Sequence, residues 1–214
     1  MLTVHHLVKS QSERIVWLCE ELEIPYVLKR YERDGSSPML APPELRALHP
    51  IGAAPVITEG EVTLAESAAI MEYIIAVHGD GRLAVAAGEP GYADYLYWFH
   101  FVNGTLQPAL GRNALLTWAG VPDDNPMHPA LSERTNRAFA LVEARLGNVP
   151  YLAGAAFTAA DIMIGFTLTT LRYFLPFDLT PYPNILAYLQ RIGARSGYRA
   201  ALAKGDPDMS PLLT

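Results

Sequence analysis

Between an apolar run, LTVHHL, and a helical one, IVWLCEEL, stands Ser10-Gln11-Ser12-Glu13-Arg14. Hydroxyls placed where a strand hands over to a helix meet unpaired backbone N–H groups and the positive end of the helix dipole. They can donate to an anion or a thiolate, or they can cap the helix and turn the chain, and the residues alone leave both uses open. Other catalytic patterns are missing: there is no HExxH, no glycine-rich phosphate loop and no GxSxG elbow. The six histidines include no helical i, i+4 pair, and His5 and His6, adjacent on a strand, face opposite sides, so no metal site is expected. The one cysteine, Cys19, falls on the inward face of the helix after SQSER, where a thiol is buried and inert.

The elements that must position these hydroxyls alternate up to residue 79. LTVHHL reads as a strand, and SERIVWLCEELE as an amphipathic helix with Ile15, Leu18, Cys19 and Leu22 on one face. Pro25 ends that helix and YVLKRY alternates as a strand. After a Pro-rich loop come a short helix over Pro43 to Leu48, a hairpin of APVI and VTL, and a helix, SAAIMEYIIAVH, which Glu66 or Ser67 can cap. The pattern predicts an α/β unit with a mixed sheet over residues 1–79. The aperiodic Gly and Ala stretch at 80–90 reads as a linker. From 91 to 214 the segments are helix-length, so the second domain is expected to be all-α. Pro108 should kink or split the first of its helices. Thr158 and Asp161 form a near capping box with Phe157 and Ile162 as a staple, opening an apolar helix that belongs in a core. Asp161 is read as structural.

Composition narrows the function classes. The chain has 214 residues, half of them apolar and 18% charged, with a formal net charge of -6. That balance and the lack of a basic stripe exclude nucleic acid as the main partner. No apolar run reaches the length of a membrane span and no signal-peptide pattern opens the sequence. With one cysteine no internal disulfide forms, and a cytoplasmic location is expected.

SQSER before a helix, HPIGAAPVI before a hairpin, ESAAIMEYI at the last helix of the first part, and then YWFHFVNGTLQP and FTAAD occur in an order that resembles the glutathione transferase family over nearly the whole chain. The resemblance implies a thioredoxin-like first domain, an all-helical second, glutathione as co-substrate, no metal, a small apolar electrophile and a homodimer joined at the face of the first long helix of the second domain. The cysteine of the chemistry then arrives with the substrate. A free thiol of pKa ~8.5 is only about 3% ionised at pH 7. Lowering that value by ~2 units stabilises the thiolate by about 2.7 kcal/mol.

By the same resemblance Ser10 is the hydroxyl at the sulfur, Ser12 beside it is left to cap the helix, and Arg14 is structural. Pro55 matches the family's cis-proline, after which the Val56 backbone pairs with the cysteinyl part of glutathione. Glu66 and Ser67 fall at the γ-glutamyl end. Ala53 departs from the pattern, since many relatives carry Lys or Arg there, and His49 replaces the usual Asn. The glycyl carboxylate is left to Arg46, His49 or solvent. Tyr97, Phe101, Leu106, Trp118, Tyr173 and Phe174 are the candidates to line the electrophile pocket, with His100 and Asn103 as polar members. Thioether formation is the expected activity. Glutathione-dependent peroxide or disulfide reduction at the same site, and a non-catalytic binding module, are the alternatives.

Overall fold

The computed structural model describes residues 1–35 and 40–214, so part of the Pro-rich loop expected after the second strand lies outside the described residues. The chain order is β1 (Thr3–Leu7), α1 (Glu13–Leu22), β2 (Val27–Tyr31), α2 (Pro43–Arg46), β3 (Val56–Glu59), β4 (Val62–Ala65) and α3 (Ser67–Val77). The sheet order is β2-β1-β3-β4, with β1 parallel to β2 and antiparallel to β3, and β3 antiparallel to β4. This is the mixed sheet the alternating pattern predicts. From Tyr92 onward the regular elements are helical: α4 (Tyr92–Phe101), α5 (Gln107–Trp118), α6 (Met127–Leu146), α7 (Ala159–Leu168), α8 (Pro183–Gly193) and α9 (Ser196–Gly205). Among the described residues no helix is long and apolar enough to cross a membrane.

Between α4 and α5 the chain runs as a π turn, Val102–Leu106, with Pro108 in the first turn of α5. Proline lacks an N–H and its ring presses on the carbonyl four residues back, and a widened turn accommodates both. The expected split therefore occurs, without ending the helical run.

Helix α1 is buried on more than one face: Arg14, Val16 and Trp17 are enclosed along with the predicted Ile15, Leu18, Cys19 and Leu22. Periodicity marks the face toward the sheet, whereas α7 and α9 cover the rest of α1. The close approach of α7 depends on Gly165, where a Cβ would lie 2.6 Å from the Trp17 ring. Burial pushes the Cys19 thiol up to about 12, so it stays protonated and unreactive. Helix α7 is buried along its whole length and opens on the predicted capping box, with Asp161 accepting the Thr158 N–H at 2.8 Å.

Candidate active site

Where β1 ends, the chain turns through Lys9 (φ 51°) and enters α1 with the Glu13 N–H bonded to the Ser10 carbonyl and the Ile15 N–H to the Ser12 carbonyl. Those backbone bonds already satisfy first-turn donors. Ser12 stands at the N-cap without a side-chain cap bond, which corrects the expectation that it caps α1. Its Oγ instead points back beneath the turn, accepting the Leu7 N–H at 3.0 Å and lying 2.9 Å from His6 Nδ1 and 2.7 Å from Ser10 Oγ. His6 Nε2 in turn lies 3.1 Å from Asp206 Oδ2, just past α9. The other oxygen of Asp206 accepts the Lys9 N–H at 2.9 Å. Burial alone would push the Asp206 carboxyl up; the His6 hydrogen bond, the Lys9 N–H and the Arg30 charge outweigh it and hold the group below its ordinary value.

Ser10 faces an open cleft of about 290 Å³ between the sheet-bearing part and the helices. One wall carries Lys9, Gln11 and Arg33, a second the Gly52, Ala53 and Ala54 backbone ahead of β3, and the far wall is apolar, with Trp118, Phe166, Leu171, Phe174 and Leu175. Trp118, Phe174 and Leu175 also border a larger hollow, about 520 Å³, between α5, α6 and the segment after the 3-10 turn Thr170–Tyr173. A hydroxyl at a helix N-terminus, flanked by cations and facing an aromatic wall, suits a ligand with an ionisable thiol, carboxylates and an apolar reaction partner.

Residues 10–77 match the profile of the glutathione S-transferase N-terminal domain, and residues 128–191 that of the glutathione S-transferase C-terminal domain. Glutathione S-transferase 3 of Schizosaccharomyces pombe is 30% identical over an alignment spanning 100% of this chain and 92% of its own length. The chain belongs to the glutathione S-transferase family. Glutathione S-transferase 1 of Saccharomyces cerevisiae is 28% identical, with 95% of each chain covered. A crystal structure of a glutathione S-transferase from Actinobacillus pleuropneumoniae superposes with a TM-score of 0.83 at 32% identity, covering 96% of this chain and 93% of that one. The architecture is accordingly the glutathione S-transferase one, a thioredoxin-like domain followed by a helical domain.

Within that frame the Ala54–Pro55 peptide is cis. Val56 is buried and stands opposite His5 on one side and Ala65 on the other, so it offers no open sheet edge to a peptide. On this side the residues that border the cleft are Gly52, Ala53 and Ala54, two to four positions before Val56. Ser67 begins α3, but its Oγ is buried and accepts from Arg14 and from Asn103, each at 3.1 Å, leaving its hydroxyl turned toward Met163 rather than outward. Its hydroxyl therefore does not face a ligand, whereas the first-turn N–H groups of α3 have no partner within the helix. Glu66 is exposed just before α3 with φ 72°, a backbone conformation that a non-glycine residue adopts at a cost.

His49 accepts the Ile51 N–H across a turn and Arg46 packs against Gly52 from outside; neither borders the cleft. Among the described residues the cations that do are Lys9 and Arg33. Arg14, read as structural, is a fully buried hub. It donates to Gln11, Ser67 and Asn103 through Nη1 and to Gln107 through Nη2. Burial pulls its guanidinium down to about 9, so it still carries its charge at neutral pH.

Of the six pocket candidates Trp118 and Phe174 line the cleft. Phe101 and Leu106 turn into the core beside the π turn, Tyr97 stands on the exposed side of α4, and Tyr173 reaches outward to donate its hydroxyl to the Ser210 carbonyl. His100 lies exposed near Glu72, and Asn103 belongs to the Arg14 hub. The residues missed by sequence reasoning are Lys9, Gln11, Arg33, Gln107, Phe166, Leu171 and Leu175 at the cleft, with His6 and Asp206 beneath it. Only Gln11 carried a local signal, its place inside the strand-to-helix turn.

Proposed function

We propose that the protein is a glutathione transferase that holds the glutathione sulfur at Ser10 and directs it at a soft electrophilic carbon lodged against Trp118 and Phe174. The observation that carries this reading is the Ser10 hydroxyl at the N-terminus of α1, opening on a cleft with an aromatic far wall. The residues present fit the co-substrate group by group. Ser10 serves the thiol, the Gly52–Ala54 backbone the extended peptide, and the α3 N-terminus with Glu66 the γ-glutamyl carboxylate and ammonium. Lys9 and Arg33 take the role of the missing cation at Ala53 for the glycyl carboxylate.

The chain contributes binding, orientation and thiolate stabilisation. A Ser10 hydrogen bond that lowers the thiol pKa by ~2 units accounts for about 2.7 kcal/mol, enough to make the thiolate the main form near neutral pH. Dimerisation would use the outer face of α4, where Leu96 and Tyr97 stand exposed.

The test is a glutathione titration from pH 5 to 9 followed by thiolate ultraviolet difference absorbance. In the wild type the bound thiol should ionise well below pH 8.5, and Ser10→Ala should move that midpoint back by about two units. No binding at millimolar glutathione, or an unmoved midpoint in Ser10→Ala, overturns the reading.

A further inference from the structure

Beneath the cleft runs a continuous chain of hydrogen bonds: Ser10 Oγ, Ser12 Oγ, His6, Asp206. Ser12, His6 and Asp206 are buried, and Ser10 alone opens on the cleft. The polarity of the chain follows from its inner end. An Asp206 carboxylate only accepts, so His6 Nε2 carries a proton, and in the tautomer protonated at Nε2 alone Nδ1 is an acceptor. Ser12 is the donor placed beside Nδ1, at 2.9 Å, and gives it its one proton in preference to the Leu7 carbonyl at 3.3 Å or Ser10 Oγ at 2.7 Å, because Ser10 can donate in its turn and the ring nitrogen cannot. In the 2.7 Å pair Ser10 must then be the donor to Ser12. Both hydroxyl protons then point inward, and Ser10, which also accepts the Ser12 N–H at 3.2 Å, has one lone pair left for the cleft.

We propose that Asp206 and His6 form a buried positioning pair that takes up the proton of the substrate thiol through Ser12 and Ser10. This deepens the transferase reading and rests on it. Ser10 Oγ receives the S–H proton and passes its own to Ser12 Oγ, which passes its own to His6 Nδ1. One S–H bond is broken and one N–H bond is made, two O–H bonds are exchanged, and no electrons leave or enter. The hydroxyl polarity is reversed by the transfer. Ser10 now points a proton at the sulfur and hydrogen-bonds the thiolate it has helped to form, while the Asp206 carboxylate supplies the counter-charge that an imidazolium needs. After the sulfur is alkylated, the reverse hops return the proton to the leaving group or to water.

The surroundings suit this use. Gly205, the last residue of α9, lies against the ring, and a Cβ there would stand 3.0 Å from His6 Nε2. His5, the neighbour on β1, faces the other side of the sheet toward Tyr31 and Thr58. The charged and titratable groups facing the pair are Glu13 of α1, Arg30 of β2, Glu32 and Arg33 after it, Lys9 of the serine turn, Tyr198 of α9 and Asp208 beyond it. Glu13 is pushed up to about 8 by burial and so adds no second negative charge beside Asp206 at neutral pH.

Proton counting tests the proposal. Glutathione is bound in weak buffer near pH 7 with a soluble indicator, thiolate absorbance is read in the same sample, and S-methylglutathione corrects for protons moved by binding alone. The wild type should form thiolate while releasing far less than one proton per thiolate, and the ¹⁵N signal of His6 Nδ1 should move to its protonated position. Asp206→Asn, whose amide would present N–H to His6 Nε2 and reverse the ring tautomer, should release close to one proton per thiolate, as should Ser12→Ala. If these variants do not fold, the wild-type count and ring signal decide. A thiolate whose proton appears in solution, with Nδ1 unchanged, overturns the relay alone. A wild type that binds glutathione without forming thiolate overturns the transferase reading and the relay with it.

Discussion

Two buried polar clusters of this protein are built from similar groups and end differently. In the helical domain the Asp161 carboxylate is closed in on itself. One oxygen accepts the Leu152 N–H and the Tyr188 hydroxyl, each at 2.9 Å, and the other accepts the Thr158 N–H and hydroxyl. Around α1 the cluster is left incomplete. The Ser10 end opens on the cleft, and Glu13 Oε1 and Arg14 Nε are buried with no hydrogen-bond partner among the described residues. A carboxylate whose lone pairs are filled by its own neighbourhood holds elements together and has nothing left to offer a ligand. A cluster with an open end keeps strain and proton capacity where chemistry can use them.

The largest effect expected from this difference is on stability. Asp161→Ala leaves the two backbone N–H groups and the Tyr188 hydroxyl without an acceptor, at ~1–3 kcal/mol each when buried. Some relief by water brings the expected total to about 3–5 kcal/mol, read as a lowered denaturation midpoint. The ionisation of bound thiol should stay where it was. A loss below about 1 kcal/mol, or a moved thiol midpoint, would erase the distinction between the two clusters.

A somewhat smaller effect separates them by pH. Burial pushes Glu13 up to about 8, with the Thr170 hydrogen bond and the Arg14 charge pulling the other way. The folded state keeps a proton that the unfolded chain loses near 4.5. The stability this proton gives is therefore complete below about pH 4.5 and is lost as pH rises through about 8. Wild-type unfolding free energy should fall by on the order of a few kcal/mol across that window. Glu13→Gln, neutral at every pH and still able to accept from Thr170, should flatten the fall. Chemical denaturation at pH 5, 6.5 and 8 gives the comparison, and parallel curves for the two proteins would show that the incomplete cluster holds no proton.

The two clusters also differ in how far they could be read from sequence. Thr158 and Asp161 are three residues apart, so the spacing of a capping box announces them, and the apolar run after them announces burial. The alternation of strand and helix up to α3, the split near Pro108 and the Ser10 turn were legible for the same reason: each is a local pattern. His6 and Asp206 are 200 positions apart, joined only when α9 folds back across α1, and no periodicity links them. The pocket residues failed differently. From α4 into α5 a uniform 3.6-residue period cannot register a π turn, which rotates the face that follows it; Leu106, at the end of the turn, is in the core while Trp118, farther along, reached the cleft. Tyr173 and Phe174 are neighbours on opposite sides of a tight turn, and composition could not say which looks inward.

The smallest expected effect concerns the cation that Ala53 does not supply. Arg46 and His49 follow the sequence reading, since both lie near Ala53 in the chain, yet the fold turns them away from the cleft and brings in Lys9 and Arg33 from the other side. Lys9 is only partly buried, with its Nζ 5.4 Å over the Tyr173 ring, so its pull on a carboxylate is screened by water and worth about 1 kcal/mol or less. Lys9→Met should therefore weaken glutathione binding by about three- to fivefold in dilute buffer, and the difference from wild type should shrink as salt shortens the reach of the charge. Thiol ionisation should not move, because Lys9 touches the Ser10 chain through its backbone N–H, which methionine retains. Arg46→Met measured alongside decides between the two placements. If it weakens glutathione binding and Lys9→Met does not, the carboxylate lies on the Ala53 side after all, and the cations on the serine side face the electrophile rather than the peptide.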